Sequence, residues 1–139
     1  MTGPILIIGT GLIGTSIGLA LRRAGVTVWL QDADPTASAV AEQMGAGIRW
    51  SKGPKDPVIV VVAVPPGSAG PAIAEASRVF PSAIVTDVTS VKGMVLDRAR
   101  LLGADMARVV GGHPMAGREV SGAAGARADL VDARWWILT

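Results

Sequence analysis

The amino-acid sequence predicts a doubly wound α/β domain built on a mainly parallel sheet. Short runs of β-branched residues alternate along the chain with Ala-rich stretches of helical length, which is the order of elements in that class. Half of the 139 residues are hydrophobic and only 4% are aromatic. The core must therefore come from Val, Ile, Leu and Ala, which suits strands buried on both faces. This length predicts a single domain over residues 1–139.

The first half of the chain alternates strands and helices. The predicted elements are a strand at 5–8, a helix at 12–24, a strand at 26–30 and a helix at 36–44. Gly25 and Gly45 stand where the two helices are expected to stop, because glycine readily takes the backbone conformation that ends a helix. Asp34-Pro35 marks the start of the second helix.

The second half repeats this alternation around one continuous apolar run. Residues 58–64 lie between Pro57 and Pro65-Pro66, and such a run predicts a central buried strand. Ser90 is predicted to be the N-cap of a later helix. The remaining predicted elements are a helix at 69–80, a strand at 83–87, a helix from 90 to about 102, and strands at 108–111 and 135–138.

Composition and charge exclude several classes of function. A formal charge of +2, with no stripe of Lys or Arg, argues against a nucleic-acid partner. The chain has no Cys, which excludes disulfides and thiolate chemistry, and no metal site is predicted. The apolar stretch 5–21 lacks a basic leader and contains four Gly, so it is not expected to be a signal peptide or membrane span. We expect a cytoplasmic protein with no membrane partner.

A glycine-rich turn follows the first predicted strand and opens the first predicted helix. It fits the pattern G-x-G-x-x-G, in which the first Gly permits the tight turn and the second lets the backbone approach a pyrophosphate. The third Gly lets the helix pack closely on the sheet, and the helix N-terminus attracts the phosphates. The turn therefore predicts a Rossmann-type dinucleotide site. Its expected cofactor contacts are Gly9, Gly11, Leu12, Ile13 and Gly14.

Asp32 stands at the end of the second predicted strand, about 20 residues after this turn. A carboxylate at this point accepts hydrogen bonds from the ribose 2′-hydroxyl and repels a 2′-phosphate. No Arg or Lys follows closely to receive a phosphate, so NAD is the expected cofactor rather than NADP. Asp34 is interpreted simply as a residue at the helix start.

Three further stretches are predicted to follow strands, at the edge of the sheet where ligands collect. They are residues 63–66, 87–92 and 111–117. Val64 and Pro65 are predicted cofactor contacts in the first of them. In the second, Asp87 is interpreted as a turn residue or a residue that positions the cofactor. Ser90 faces the cleft in addition to capping the helix, and Lys92 is interpreted as a solvated residue with no chemical role.

His113 is the only histidine of the chain and the strongest candidate for acid–base chemistry. A lone histidine is usually a surface residue or a satisfied core residue. Here it follows a predicted strand and lies between Gly-Gly and Pro in a rigid turn. A histidine titrates near neutral pH, which suits an acceptor for an alcohol proton during hydride abstraction. Glu119, further along, is consistent with a plain surface acid.

Taken together, these motifs closely resemble the prephenate/arogenate dehydrogenase family. The matching stretches are residues 9–21, 63–66, 87–92, 112–117, 118–122, 128–130 and 135–139. The most specific of them is His113-Pro114-Met115-Ala116-Gly117. Val131 departs from the family, whose members usually carry Phe there, and we expect this difference to affect packing only.

The resemblance implies an NAD-dependent oxidative decarboxylation of prephenate to 4-hydroxyphenylpyruvate in tyrosine biosynthesis. It implies that His113 takes the ring-hydroxyl proton and that Ser90 orients both His113 and the nicotinamide. Gly117 and Glu119 are implied to lie at the substrate, Glu119 in a polar network near its entrance. The choice between prephenate and arogenate stays open.

The family also has a helical C-terminal domain that forms a homodimer and contributes substrate-binding His and Arg residues, and nothing within residues 1–139 matches it. We therefore expect the chain by itself to bind NAD with little or no turnover. Two other functions stay open. One is a β-hydroxyacid or imine reductase type of dehydrogenase, which would leave the block around His113 unexplained. The other is a non-catalytic module that senses NAD(H), which would require a docking segment.

Overall fold

The computed structural model describes residues 3–50, 56–114 and 136–138. Its first half contains β1 Ile5–Ile8, α1 Leu12–Arg23, β2 Val28–Gln31, α2 Pro35–Gln43 and β3 Ile48–Arg49. Its second half contains β4 Ile59–Val62, α3 Pro66–Val79, β5 Ile84–Asp87, α4 Lys92–Leu101, a 3₁₀ turn Met106–Arg108, β6 Val109–Val110, β7 Gly112–Pro114 and β8 Trp136–Leu138. None of these described helices is long and apolar enough to cross a membrane.

Six strands form one parallel sheet in the order β3-β2-β1-β4-β5-β6. The chain builds outward from β1 to β3, then crosses back to place β4 against the free side of β1. This is the strand order of the dinucleotide-binding Rossmann fold, and the point between β1 and β4 is where its ligands bind. Strands β7 and β8 form a separate antiparallel pair.

Apolar side chains cover both faces of the large sheet, as the sequence predicts. On one face Leu6, Val60 and Val85 pack beneath α3 and α4, which contribute Ile73 and Val95. The opposite face has its own cluster, formed by Ile7, Val28, Leu30 and Val61 with Ile17 of α1 and Ala41 of α2. The strands are therefore held from both sides, which fixes their carboxyl ends in one row.

The predicted elements are confirmed, with boundaries that differ by up to three residues. The prediction that Ser90 caps α4 is wrong, because α4 begins at Lys92 and Val91 is its N-cap without a side-chain hydrogen bond. Strand β3 was not predicted, because its two residues are both exposed and give no apolar run. Residue 108 lies in the 3₁₀ turn instead of a strand, since Asp105 accepts a hydrogen bond from the Ala107 N–H.

Arg108 joins several chain segments at the edge of the sheet opposite the site. Its Nη1 donates to the carbonyl oxygens of Phe80 at 3.1 Å and Ala83 at 2.6 Å, and its Nη2 donates to that of Ser77 at 2.7 Å. Its Nε donates to Asp105 at 2.9 Å. One guanidinium thus donates to carbonyl groups at the end of α3 and before β5, where a helix leaves its last carbonyl groups without intrahelical partners.

Candidate nucleotide-binding site

The turn after β1 and the segment after β4 lie side by side at the carboxyl edge of the sheet. The parallel hydrogen-bond ladder continues one step beyond the strands. The N–H of Gly9 donates to the Gln31 carbonyl at 2.8 Å, and the N–H of Ala63 donates to the Ile8 carbonyl at 2.7 Å. The glycine-rich turn therefore sits at the crossover between β1 and β4, where a bound nucleotide is expected.

Gly9 is required by both its backbone conformation and its neighbours. Its φ of +102° lies in the region that residues with a Cβ rarely adopt. A Cβ at this position would also collide with the Ala63 carbonyl and come within 2.9 Å of Val64 Cγ1. The first glycine of the motif thus lets the turn pack against the segment after β4.

Gly14 is required by packing alone. A Cβ there would overlap the carbonyl oxygen of Gly9 and approach Ala63 Cβ at 3.2 Å. The absence of a side chain therefore lets α1 lie close against the turn and the sheet, as predicted from the sequence.

Gly11 differs from both, because no group among the described residues explains why it is a glycine. Its φ is an ordinary −81°, and a Cβ built on it meets nothing within 4 Å. Among the residues that the structure describes, the space beside it is open. Gly11 is also the N-cap of α1, gives no side-chain hydrogen bond to the helix, and precedes a first turn without acidic residues. The positive end of the helix, with the N–H groups of Leu12 and Ile13, is thus left for an anion.

Asp32 is bound to the glycine-rich turn through Thr10. Its Oδ2 accepts hydrogen bonds from the Thr10 N–H at 2.7 Å and from the Thr10 hydroxyl at 2.8 Å. Its Oδ1 accepts one from the Asp34 N–H at 2.8 Å. Thr10 is fully buried, and Thr15 donates in turn to its carbonyl at 3.0 Å. The carboxylate is therefore fixed, and Oδ1 keeps an acceptor position for a ribose hydroxyl.

These hydrogen bonds also set the charge of Asp32. Partial burial would raise the pKa of the carboxyl, but the N–H groups of Thr10 and Asp34 and the Thr10 hydroxyl outweigh it. The pKa of Asp32 consequently lies below its ordinary value, because the donors stabilise the ionised form. The site thus presents a fixed negative charge at neutral pH.

A cavity of about 530 Å³ opens beside Asp32 between α2 and the edge strand β3. Arg49 and Glu42 line it, and they bind each other: the Arg49 N–H donates to Glu42 at 2.8 Å and its Nε at 3.2 Å. The backbone hydrogen bond from Arg49, opposed by slight desolvation and aided by the nearby guanidinium, lowers the pKa of Glu42. The fold thus brings an arginine to the Asp32 cavity, which sequence spacing did not indicate, but pairs it with an acid.

Asp87 and Lys92 form a shielded ion pair at the end of β5. Lys92 Nζ lies 2.5 Å from Asp87 Oδ2, and the side chains are 14% and 0% exposed. Thr89 donates to the same oxygen through its hydroxyl at 2.6 Å and its N–H at 3.2 Å. The interpretation of Lys92 as a solvated residue is therefore wrong, because the fold brings its ammonium group against the buried carboxylate of Asp87.

Comparison with known proteins identifies a family that the chain matches. The model of the prephenate dehydrogenase nucleotide-binding domain matches residues 17–139. The chain belongs to this family. Among curated relatives, a probable prephenate dehydrogenase of Streptomyces niveus, NovF, is 47% identical over 96% of the chain. Prephenate dehydrogenase of Bacillus subtilis is 32% identical over 100% of the chain. The chain spans 36% and 40% of the lengths of these two proteins.

Solved structures of the prephenate dehydrogenase family share the fold. Prephenate dehydrogenase of A. aeolicus, in complex with hydroxyphenyl propionate and NAD+, superposes with a TM-score of 0.86 at 30% identity, covering 100% of this chain and 51% of its own. Arogenate dehydrogenase of Synechocystis gives a TM-score of 0.85 at 28% identity, covering 98% of this chain and 49% of its own.

Within this nucleotide-binding domain, the other predicted site residues fall at the same edge or outside the described residues. Val64 is half-buried against the turn, and Pro65 is the exposed N-cap of α3. Ser90 is exposed between β5 and α4. His113 lies in β7, where its backbone pairs with Ile137 of β8. Gly117 and Glu119 lie outside the described residues, and their roles stay predictions.

Proposed function

We propose that this chain binds NAD along its glycine-rich turn and is the nucleotide-binding portion of a dehydrogenase of prephenate or arogenate. The observation that carries this proposal is the space beside Gly11, open among the described residues, next to a helix whose first turn has no acidic residue. Glycines at 9 and 14 are explained by packing, whereas no described residue requires a glycine at 11, which supports a ligand that approaches the backbone closely there.

The residues present fit NAD along the whole length of its diphosphate and adenosine ribose. The N–H groups of Gly11, Leu12 and Ile13 would bind the pyrophosphate at the start of α1. Asp32 would accept the ribose hydroxyls through Oδ1. Its ionised carboxylate would repel a 2′-phosphate, and the guanidinium of Arg49 is already paired with Glu42 through its Nε. NAD is therefore favoured over NADP.

The proposed reaction requires a proton acceptor close to the hydride acceptor. NAD supplies the hydride acceptor when it is bound, and the protein supplies orientation and the base. His113, on the segment after β6, would take the proton of the ring hydroxyl. Ser90, exposed at the same edge, would orient His113 and the nicotinamide, with Gly117 and Glu119 at the substrate. Loss of CO₂ and aromatisation then drive the oxidation.

The chain is shorter than its relatives, and this difference affects the activity expected of it. It spans about half of the two solved relatives and two fifths or less of the curated ones. We propose that the active protein is a cytoplasmic homodimer in which further groups hold the substrate carboxylates. The chain by itself is expected to bind NAD and to show little or no turnover. Relatives named for prephenate and for arogenate both match, so both substrates belong in the assay.

Cofactor binding is tested by titrating the chain with NADH and with NADPH and following nucleotide fluorescence. The proposal expects NADH to bind at least about tenfold more tightly, a difference of roughly 1.4 kcal/mol. Equal or reversed affinities would contradict the role of Asp32. Failure to bind either nucleotide would contradict the proposed site altogether.

The reaction is tested on the longest product of the reading frame that contains this chain. NADH formation is followed with prephenate and with arogenate, for the wild type and for His113→Asn. The base assignment expects kcat to fall by about 10²- to 10⁴-fold in the variant, while NADH affinity is retained. An active enzyme whose kcat is untouched by His113→Asn would exclude His113 as the base.

A further inference from the structure

The buried carboxylate of Asp87 reaches beyond its own ion pair to a third segment of the chain. While Oδ2 is occupied by Thr89 and Lys92, Oδ1 accepts a hydrogen bond from the N–H of Gly112 at 3.3 Å. Gly112 is the first residue of β7 and directly precedes His113. Asp87 therefore joins the end of β5 to the strand that carries the chain's only histidine.

This hydrogen bond connects two sheets that share no strand pairing. Strand β7 pairs with β8, whereas β5 belongs to the six-stranded sheet that holds the glycine-rich turn. The Cα atoms of neighbouring residues are about 3.8 Å apart, so fixing the Gly112 N–H also fixes where the His113 backbone begins. The orientation of one carboxylate thus links the position of β7 to the nucleotide-binding edge.

Lys92 and Thr89 hold that carboxylate in a single orientation. Lys92 also donates to the Thr89 hydroxyl at 3.2 Å, so the three side chains form a closed network around Oδ2. Asp87 is 0% exposed and so has little water to compete for these bonds. A buried polar network with all its members satisfied is rigid, and removing one charged member leaves the other uncompensated.

We propose that Asp87 is a positioning residue for His113, kept in place by Lys92 and Thr89. The proposal rests on the proposed function, which makes His113 the proton acceptor. It gives Asp87 a role through the Gly112 backbone instead of through direct contact of its side chain with the cofactor. A displacement of about 1 Å in a reacting group lowers the rate by up to roughly 10²-fold, so the hydrogen bond between Asp87 and Gly112 matters for catalysis.

The test starts with the cofactor-free chain and the variant Lys92→Met, which keeps most of the length of the unbranched side chain and removes its charge. Amide hydrogen exchange by NMR compares Gly112 with Val85, which is buried in β5. We expect the protection of Gly112 to fall at least about tenfold relative to Val85, the loss of roughly 1.4 kcal/mol for opening. The imidazole signals of His113, unambiguous in a chain with one histidine, should shift as well.

Two further variants keep the test decisive. Arg100→Met removes the exposed ion pair with Asp97 on the same helix and should leave Gly112 and His113 unchanged. Because Lys92→Met leaves a buried charge and risks unfolding, Asp87→Asn/Lys92→Met removes both charges together. The double variant should fold and still lose Gly112 protection. Gly112 protection that falls only in step with Val85 in both variants would show a purely structural role and overturn the proposal.

The catalytic readout separates this proposal from the proposed function. In an active protein that contains this chain, Lys92→Met should lower kcat roughly 10- to 100-fold with a smaller change in KM for NAD. If the wild type binds no NADH, the proposed function fails. The exchange measurement on Gly112 still tests its hydrogen bond with Asp87. If NADH binds and the wild type turns over, but Lys92→Met leaves kcat and Gly112 exchange unchanged, only the positioning role fails.

Discussion

Thr10 donates to Asp32 Oδ2 twice, through its backbone N–H at 2.7 Å and through its hydroxyl at 2.8 Å. The two residues are 22 positions apart, one inside the glycine-rich turn and the other after β2. The part of the site proposed to face phosphate and the part proposed to face ribose are therefore connected directly. A change in either residue should alter nucleotide binding at both.

Thr10→Val tests this connection. The substitution keeps the shape of the buried side chain and removes the hydroxyl donor, so Asp32 loses one of its fixed hydrogen bonds. We expect the Kd for NADH to rise about 5-fold, corresponding to roughly 1 kcal/mol for one hydrogen bond. Fluorescence titration measures it. Thr27→Val, at an exposed position before β2, is the control and should bind like the wild type. An unchanged Kd for Thr10→Val would mean that the hydroxyl does not hold Asp32.

Two glycines of the same motif should respond differently to alanine. Gly11→Ala places a methyl group in open space, so the free energy of unfolding should stay within about 0.5 kcal/mol while NADH affinity falls about tenfold or more. Gly9→Ala forces a Cβ onto positive φ and against the Ala63 carbonyl. It should lower the free energy of unfolding by about 1–3 kcal/mol.

Urea unfolding and NADH titration of both variants separate these effects. Gly93→Ala, an exposed position in the first turn of α4 with nothing near its Cβ, serves as the control for both measurements. Equal destabilisation by Gly11→Ala and Gly9→Ala would contradict the distinction between a ligand-facing and a packing glycine. So would normal NADH binding by Gly11→Ala.

The lowered pKa of Asp32 makes a prediction about acid stability. The unfolded carboxyl takes up a proton near its ordinary pKa of about 4, whereas the folded one resists until lower pH. Its stabilising contribution is therefore complete above pH 4 and is lost as the pH falls through the folded pKa. The difference in free energy of unfolding between wild type and Asp32→Asn should be constant from about pH 5 to 8 and shrink below about 4.

Urea unfolding at a series of pH values checks this prediction. Subtracting the variant cancels the contributions of Glu42 and Asp105, whose pKa values are also lowered and which act in the same direction. A difference that grows in acid would give the opposite sign and would show that the donors around Asp32 do not stabilise its ionised form.

Arg108 makes a prediction about stability away from the site. Arg108→Lys keeps the charge but cannot reach the carbonyl groups of Ser77, Phe80 and Ala83 together. We expect the free energy of unfolding to fall by about 2 kcal/mol, with NADH affinity unchanged because Arg108 lies at the opposite edge of the sheet. Arg100→Lys, in an exposed ion pair, should cost less than about 0.5 kcal/mol. Equal effects of the two substitutions in urea unfolding would contradict the role of Arg108.

The sequence predicts those features of the molecule that depend on local pattern. Strand β4 follows from an apolar run between prolines, and the role of the glycine-rich turn follows from its spacing. Thr10 and Lys92 could not be found in this way, because their importance comes from contacts with carboxylates that the fold brings to them. Ser90 shows the reverse error: a residue type that suits a helix cap lies two residues before the helix begins.

The packing of Gly9 against Ala63 also bears on how the chain folds. The two residues are 54 positions apart (63 − 9), and they meet only when β4 pairs with β1 across the crossover. Such non-local pairing forms slowly, because the entropy of closing a long loop is lost before the contact contributes stabilising energy. Chains that have not yet joined β4 to β1 therefore lack a finished turn. A nucleotide that binds the finished turn would stabilise the fully paired molecules, so the free energy of unfolding would rise with cofactor concentration.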